Sequence, residues 1–257
     1  MCYDDRSRPP KPPRARTAAK GKDIELVAKD GNRFAAYIAE GDHSSKAQVL
    51  IYPDVRGLHQ FYKDLALRFA EVGINALAID YFGRTAGLGP RDETFDYHSH
   101  VEQLTAENVF TDTRAALDYL QQNFGFDQKT FILGFCMGGS LTLLSGTQDF
   151  KLAGLVAFYA GFKRVFPGKG TALEEAHKIR FPVLGLFGGA DQNIPVSQVE
   201  QLDLELDKTK VDHEIVIYKE APHSFFDRKQ KEFAQASTDA WKRILGFITN
   251  YSKSPLV

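Results

Sequence analysis

From Asp23 onward, short and mainly apolar runs alternate with longer stretches in which apolar residues recur every three or four positions. Strands are expected at residues 49–52, 76–79, 131–133, 152–158, 183–187 and 214–218. Helices are expected at 61–72, in a stretch ending near Asn123, at 137–144, at 196–206 and from about 231 to 251. Strands apolar on both faces need cover on both sides, and strands separated by helices pair in parallel. A hairpin at 24–28 and 33–39, turning at Asp30–Asn32, is expected to precede them. The pattern therefore predicts an α/β fold, a mostly parallel doubly wound sheet with helices on both faces. A chain of 257 residues suits one domain, and no fixed-period repeat or internal linker divides residues 23–257.

Residues 1–22 differ in kind. They carry a net charge of +5 and four of the eleven prolines, whereas the remainder carries −6. Such a segment is expected to be a solvated, mobile tail. Two cysteines cannot form a disulfide framework, and the N-terminus offers no apolar signal region. These features predict a cytoplasmic protein. The overall charge of −1 argues against nucleic acid as a partner. The uncharged run 130–148 has membrane-span length, but four glycines interrupt it, so a strand, turn and buried helix are expected instead. A monomer or weak homo-oligomer with no membrane partner is expected.

The chemistry concentrates in Gly134-Phe135-Cys136-Met137-Gly138-Gly139, directly after the apolar run 131–133. A nucleophile between strand and helix sits on a sharp, strained turn, and glycines two residues either side allow close backbone passage. The helix N-terminus then points at the side chain, favouring thiolate and developing oxyanion. A thiol needs a base. In a doubly wound hydrolase the order is nucleophile, acid, histidine, each on a loop leaving a strand's carboxyl end. Of seven histidines, His223 alone follows both the cysteine and a strand, the run 214–218. Asp191, after the run 183–187, is the candidate acid that would orient the imidazole. Asp80 also ends a strand but precedes the nucleophile and reads as structural. The loop 53–57 leaves another strand end, so the amides of Val55 and Met137 are the candidate oxyanion donors, with Asp54 beside the thiol.

The Gly-Phe-Cys-Met-Gly-Gly elbow resembles the dienelactone hydrolases (carboxymethylenebutenolidases). So do Tyr-Pro-Asp-Val-Arg-Gly-Leu, Ala-Ile-Asp-Tyr-Phe-Gly-Arg and Ala-Pro-His-Ser-Phe. The resemblance implies an α/β-hydrolase fold of about eight strands, a Cys136–His223–Asp191 triad, and hydrolysis of an enol-lactone. It also implies that Arg84 binds a substrate carboxylate and Tyr159 lines the pocket. Asp54 stands where the family typically has a glutamate. Where a second carboxylate-binding arginine would fall, the chain has Asp227, with Arg228 adjacent.

The nucleophile itself restricts the substrate, expected to be a small ester or lactone. An intermediate formed by a thiolate expels the better leaving group, so an enol or phenol departs where a simple alkoxide does not. The proposed reaction requires no cofactor and no metal. A non-catalytic small-molecule-binding protein on the same scaffold is the alternative reading, and a redox or peroxide-responsive thiol protein using Cys136 is a third, against which the only resolving partner on offer is Cys2.

Overall fold

A computed structural model describes residues 5–13, 15, 19–42 and 46–253. Its frame is an eight-stranded sheet in the order β1-β2-β4-β3-β5-β6-β7-β8. The strands are β1 (Lys20–Val27), β2 (Arg33–Glu40), β3 (Ala47–Tyr52), β4 (Asn75–Ile79), β5 (Lys129–Phe135), β6 (Gly154–Phe158), β7 (Val183–Gly188) and β8 (His213–Tyr218). Only the β1–β2 and β2–β4 pairs are antiparallel. The helices are α1 (Gln60–Ala70), α2 (Gly83–Ala86), α3 (His98–Glu102), α4 (Ala106–Phe124), α5 (Met137–Ser145), α6 (Val196–Thr209) and α7 (Ala234–Ser252). The expected doubly wound α/β sheet is present, and the stretch 81–99 holds α2 and the start of α3 as well as loop.

Alternation along β5 shows how both faces are covered. Phe131 meets Phe247 of α7, and Phe135 meets Phe61 and Tyr62 of α1. Gly134, pointing the other way, lies against Gly138 and Thr142 of α5. Helices α1 and α7 share the first face and touch through Phe69 and Trp241, with ring centroids 5.0 Å apart. The run 130–148 resolves into β5, a turn and the wholly buried α5. Among the described residues no helix is long and apolar enough to cross a membrane.

The N-terminal segment departs from expectation. Described residues 5–13 lie on the domain, with Ser7, Pro9, Pro10 and Pro12 buried. Trp241 Nε1 donates to the Pro10 carbonyl at 3.0 Å, and Arg8 Nε stands 3.3 Å from Asp64 Oδ2. Proline rings are apolar and pay little rotamer entropy on burial, so a Pro-rich strap can dock where a Gly- or Ser-rich one would not. β1 also begins at Lys20, three residues inside the segment assigned to the tail. Residues 1–4, 14 and 16–18, with Cys2 among them, lie outside the described residues.

Two glycines separate close packing from helix propensity. A methyl group on Gly138 would overlap the carbonyl oxygens of Tyr52 and Pro53, whereas one on Gly246 of α7 meets nothing within 4 Å. Gly138→Ala is expected to cost about 3 kcal/mol or more. Gly246→Ala should stabilise by about 0.5–1 kcal/mol. Urea denaturation midpoints of the two variants check both signs.

Candidate active site

Cys136 caps α5 at φ 55° and ψ −115°, a left-handed backbone that an L-residue adopts only when its surroundings enforce it. The enforcement is visible. The Cys136 amide donates to the Phe158 carbonyl at 3.0 Å, which ties the turn to the end of β6. Gly134 abuts the Gly138 carbonyl, and Gly138 abuts the end of β3. The strand therefore turns into the helix with the sulfur at its tip, half-buried.

The other two predicted catalytic side chains meet directly. His223 Nδ1 is 2.6 Å from Asp191 Oδ2. The second oxygen of Asp191 accepts the amides of Asn193 at 2.8 Å and Ile194 at 3.3 Å, which fixes the carboxylate in the turn after β7. With Nδ1 on the acid, Nε2 is the ring nitrogen that can act as a base. Tyr159 lies behind the imidazole, ring centroids 4.7 Å apart. It is fully buried and does not line the cavity; its hydroxyl donates to Asp227 Oδ2 at 2.9 Å. That differs from the expected pocket tyrosine. Its φ of 34° turns the chain after β6 and leaves its ring in the protein interior. Asp227 is itself buried, and burial pushes its carboxyl up to about 7, with the Arg228 amide and the Tyr159 hydroxyl pulling the other way.

The loop after β3 completes the arrangement. Among the amides of residues 54–59, Asp54 N–H donates to the Tyr62 hydroxyl and Arg56 N–H to Asp54 Oδ1. Gly57 N–H donates to the Asp54 carbonyl, Leu58 N–H to Asp80 Oδ1 and His59 N–H to the Gly57 carbonyl. Among the described residues, the Val55 amide donates to no protein acceptor. The Met137 amide, in the first turn of α5, is open for the geometric reason common to helix starts. Val55, Met137 and Cys136 all line one cavity. Asp80 is structural as read: it holds Leu58 and pairs with buried Arg91 at 2.8 Å. Asp54 is fully buried, 4.0 Å from His59 Nε2, and is not a lining residue.

The cavity measures about 510 Å³ and brings together Val55, Cys136, Met137 and His223. A volume in that range suits a small organic molecule. Arg84 is elsewhere. It pairs with Asp30 at 2.5 Å and with Asp112 at 2.7 Å, bridging the β1–β2 turn to α4. The cations on the cavity wall are Lys163, Arg164 and Arg228. Arg164 escaped the sequence reading because it lies in an irregular segment after β6, with no periodicity or motif to single it out. Its guanidinium is held by the Val101 carbonyl and the face of Phe166. Among the described residues no group of three or more His, Cys, Asp or Glu side chains could hold a metal ion.

A model of the dienelactone hydrolase family matches residues 34–252. A Yersinia pestis protein named "Putative carboxymethylenebutenolidase" is 27% identical over 237 residues, covering 90% of this chain and 88% of its own. An identically named protein of Escherichia coli K12 is 28% identical over 255 residues, covering 93% of each chain. The crystal structure titled "Putative Dienelactone Hydrolase" from Klebsiella pneumoniae superposes with a TM-score of 0.80 at 26% identity. It covers 91% of this chain and 100% of that one.

Asp227 makes a stability prediction. Its carboxyl is raised in the folded state from an ordinary value near 4. The folded state therefore binds the proton more tightly, and the stability linked to it is full below about pH 4 and lost as pH rises to about 7. Asp227→Asn should remove that dependence. Urea midpoints from pH 4 to 8 are expected to fall more steeply for the wild type than for the variant.

Proposed function

The chain belongs to the dienelactone hydrolase family, and on that footing we propose that it hydrolyses activated esters or enol-lactones through a Cys136 acyl-enzyme. The observation that carries this reading is the 2.6 Å contact between His223 and Asp191, made beside the cavity that Cys136 and His223 both line.

In the proposed reaction His223 Nε2 takes the thiol proton while Asp191 holds the ring by its Nδ1–H and stabilises the imidazolium. The thiolate adds to the acyl carbon, and the Val55 and Met137 amides receive the oxyanion. Collapse breaks the bond to the enolate or phenolate oxygen, which His223 protonates as it leaves. His223 then deprotonates a water that attacks the acyl-cysteine; the carboxylic acid departs and the thiol is restored. An alkoxide leaves less readily than the thiolate, so simple alkyl esters would partition back to substrate. Arg164 and Arg228, both on the cavity wall, replace Arg84 as the groups that would receive a substrate carboxylate, since a guanidinium binds one bidentately.

Intact-mass spectrometry against a panel of aryl esters and enol-lactones tests the chemistry. A single acyl adduct is expected on the wild type and none on Cys136→Ala. An adduct surviving in that variant would move the chemistry elsewhere, and no adduct or turnover on any member would favour a binding protein. Asp191→Asn should lower kcat by about 10³- to 10⁴-fold. For aryl esters bearing a carboxylate, Arg228→Gln and Arg164→Gln should each raise KM about tenfold, with little change for uncharged esters of equal size.

A further inference from the structure

The segment preceding β1 reaches the loop that supplies one half of the oxyanion site. Asp5 Oδ1 stands 2.7 Å from Arg56 Nη2, and the Arg56 side chain is only 4% exposed. Arg56 follows Val55 directly, and its own amide is held by Asp54 Oδ1 at 2.9 Å. Asp5 also joins the loop that follows α2. Its amide donates to Glu93 Oε1 at 2.7 Å, and the Glu93 amide donates to Asp5 Oδ2 at 3.2 Å. The segment is also anchored further along, by Pro10 on Trp241 and Arg8 near Asp64, and Arg8 Nη1 donates to the Asp5 carbonyl at 2.8 Å. The family match begins only at residue 34, so this contact lies outside what the family model describes.

Removing the carboxylate that stands against a buried guanidinium weakens the hold on it and lets it shift toward water. Here such a movement would draw residue 56 with it and turn the peptide carrying the Val55 amide. We propose that Asp5 is a positioning residue for the reaction: through Arg56 it holds the Val55 amide in the orientation that receives the oxyanion. The proposal rests on the assignment of the Val55 amide given above. The strap is therefore part of the active site's support, although it touches no substrate.

The experiment uses the full chain and three variants. Asp5→Asn keeps the shape and removes the charge, and Asp5→Glu restores the charge. Asp64→Asn loosens the same segment at Arg8 without touching Asp5 or Arg56. Two quantities are read. One is kcat and KM with an aryl ester, and the other is hydrogen exchange, by mass spectrometry, of the peptide spanning residues 53–59. In Asp5→Asn, kcat should fall about tenfold or more with KM changed less than twofold, because a donor used only on the developing oxyanion is displaced. Exchange of the loop amides should accelerate about tenfold in the same variant. Asp5→Glu should recover most of both, and Asp64→Asn should match the wild type in both.

Unchanged kcat or unchanged loop exchange in Asp5→Asn overturns the proposal, as does an equal loss in Asp64→Asn. Should the wild type form no acyl-enzyme at all, the hydrolase reading fails on its own experiment. The exchange comparison then decides the tether alone.

Discussion

The approach of Gly138 to the carbonyl oxygens of Tyr52 and Pro53 is the contact on which the candidate site depends. It presses the first turn of α5 onto the end of β3, so the strained Cys136 turn and the loop carrying Val55 emerge side by side. Neither element could be placed alone. β3 and β5 are neighbours in the parallel sheet, with Tyr52 paired to Gly134, and the register fixes the height at which both chains leave the sheet. A close-packed interior transmits that register without slack. Separating the two backbones by a methyl group would part the sulfur from the open amide opposite it.

Much of this was legible in the residues. Mainly apolar strands separated by helices required a parallel core covered on both faces, and the glycines flanking Cys136 required a tight strand-to-helix turn. His223 and Asp191 could be chosen because each follows a strand in the order that chemistry needs. Position along the chain was less informative where a side chain's direction decides its role. Arg84 and Tyr159 stand at motif-matching positions, yet Arg84 turns toward Asp30 and Asp112, and Tyr159 toward Asp227. Arg84 moreover faces a carboxyl that burial raises to about 6, with the Arg84 charge acting against that rise. Ion pairs between residues far apart in sequence leave no periodic trace, and neither does Arg164 in its irregular segment.

The tail reading does not hold for residues 5–13, for a related reason. Composition alone favours solvation of a basic, Pro-rich segment, because composition counts charge and ignores where the neutralising partners lie. The folded domain presents Asp64 to Arg8 and the indole N–H of Trp241 to the Pro10 carbonyl. Trp241 is fully buried between Phe69 and Phe226, so its N–H needed an acceptor that the helix carrying it does not supply. Charge pairs the strap to the domain in both senses, Arg8 with Asp64 and Asp5 with Arg56.

The unusual torsion at residue 136 has an evolutionary corollary. The turn is maintained by glycines and backbone contacts around it, and none of those contacts specifies the atom at its apex. Serine is nearly isosteric with cysteine, so an exchange of thiol for hydroxyl leaves the local architecture's demands untouched. In the proposed reaction it would alter which leaving groups the intermediate can expel. On the proposed chemistry, a single codon step would shift the preference between reactive lactones and ordinary esters, the histidine and its carboxylate staying in place.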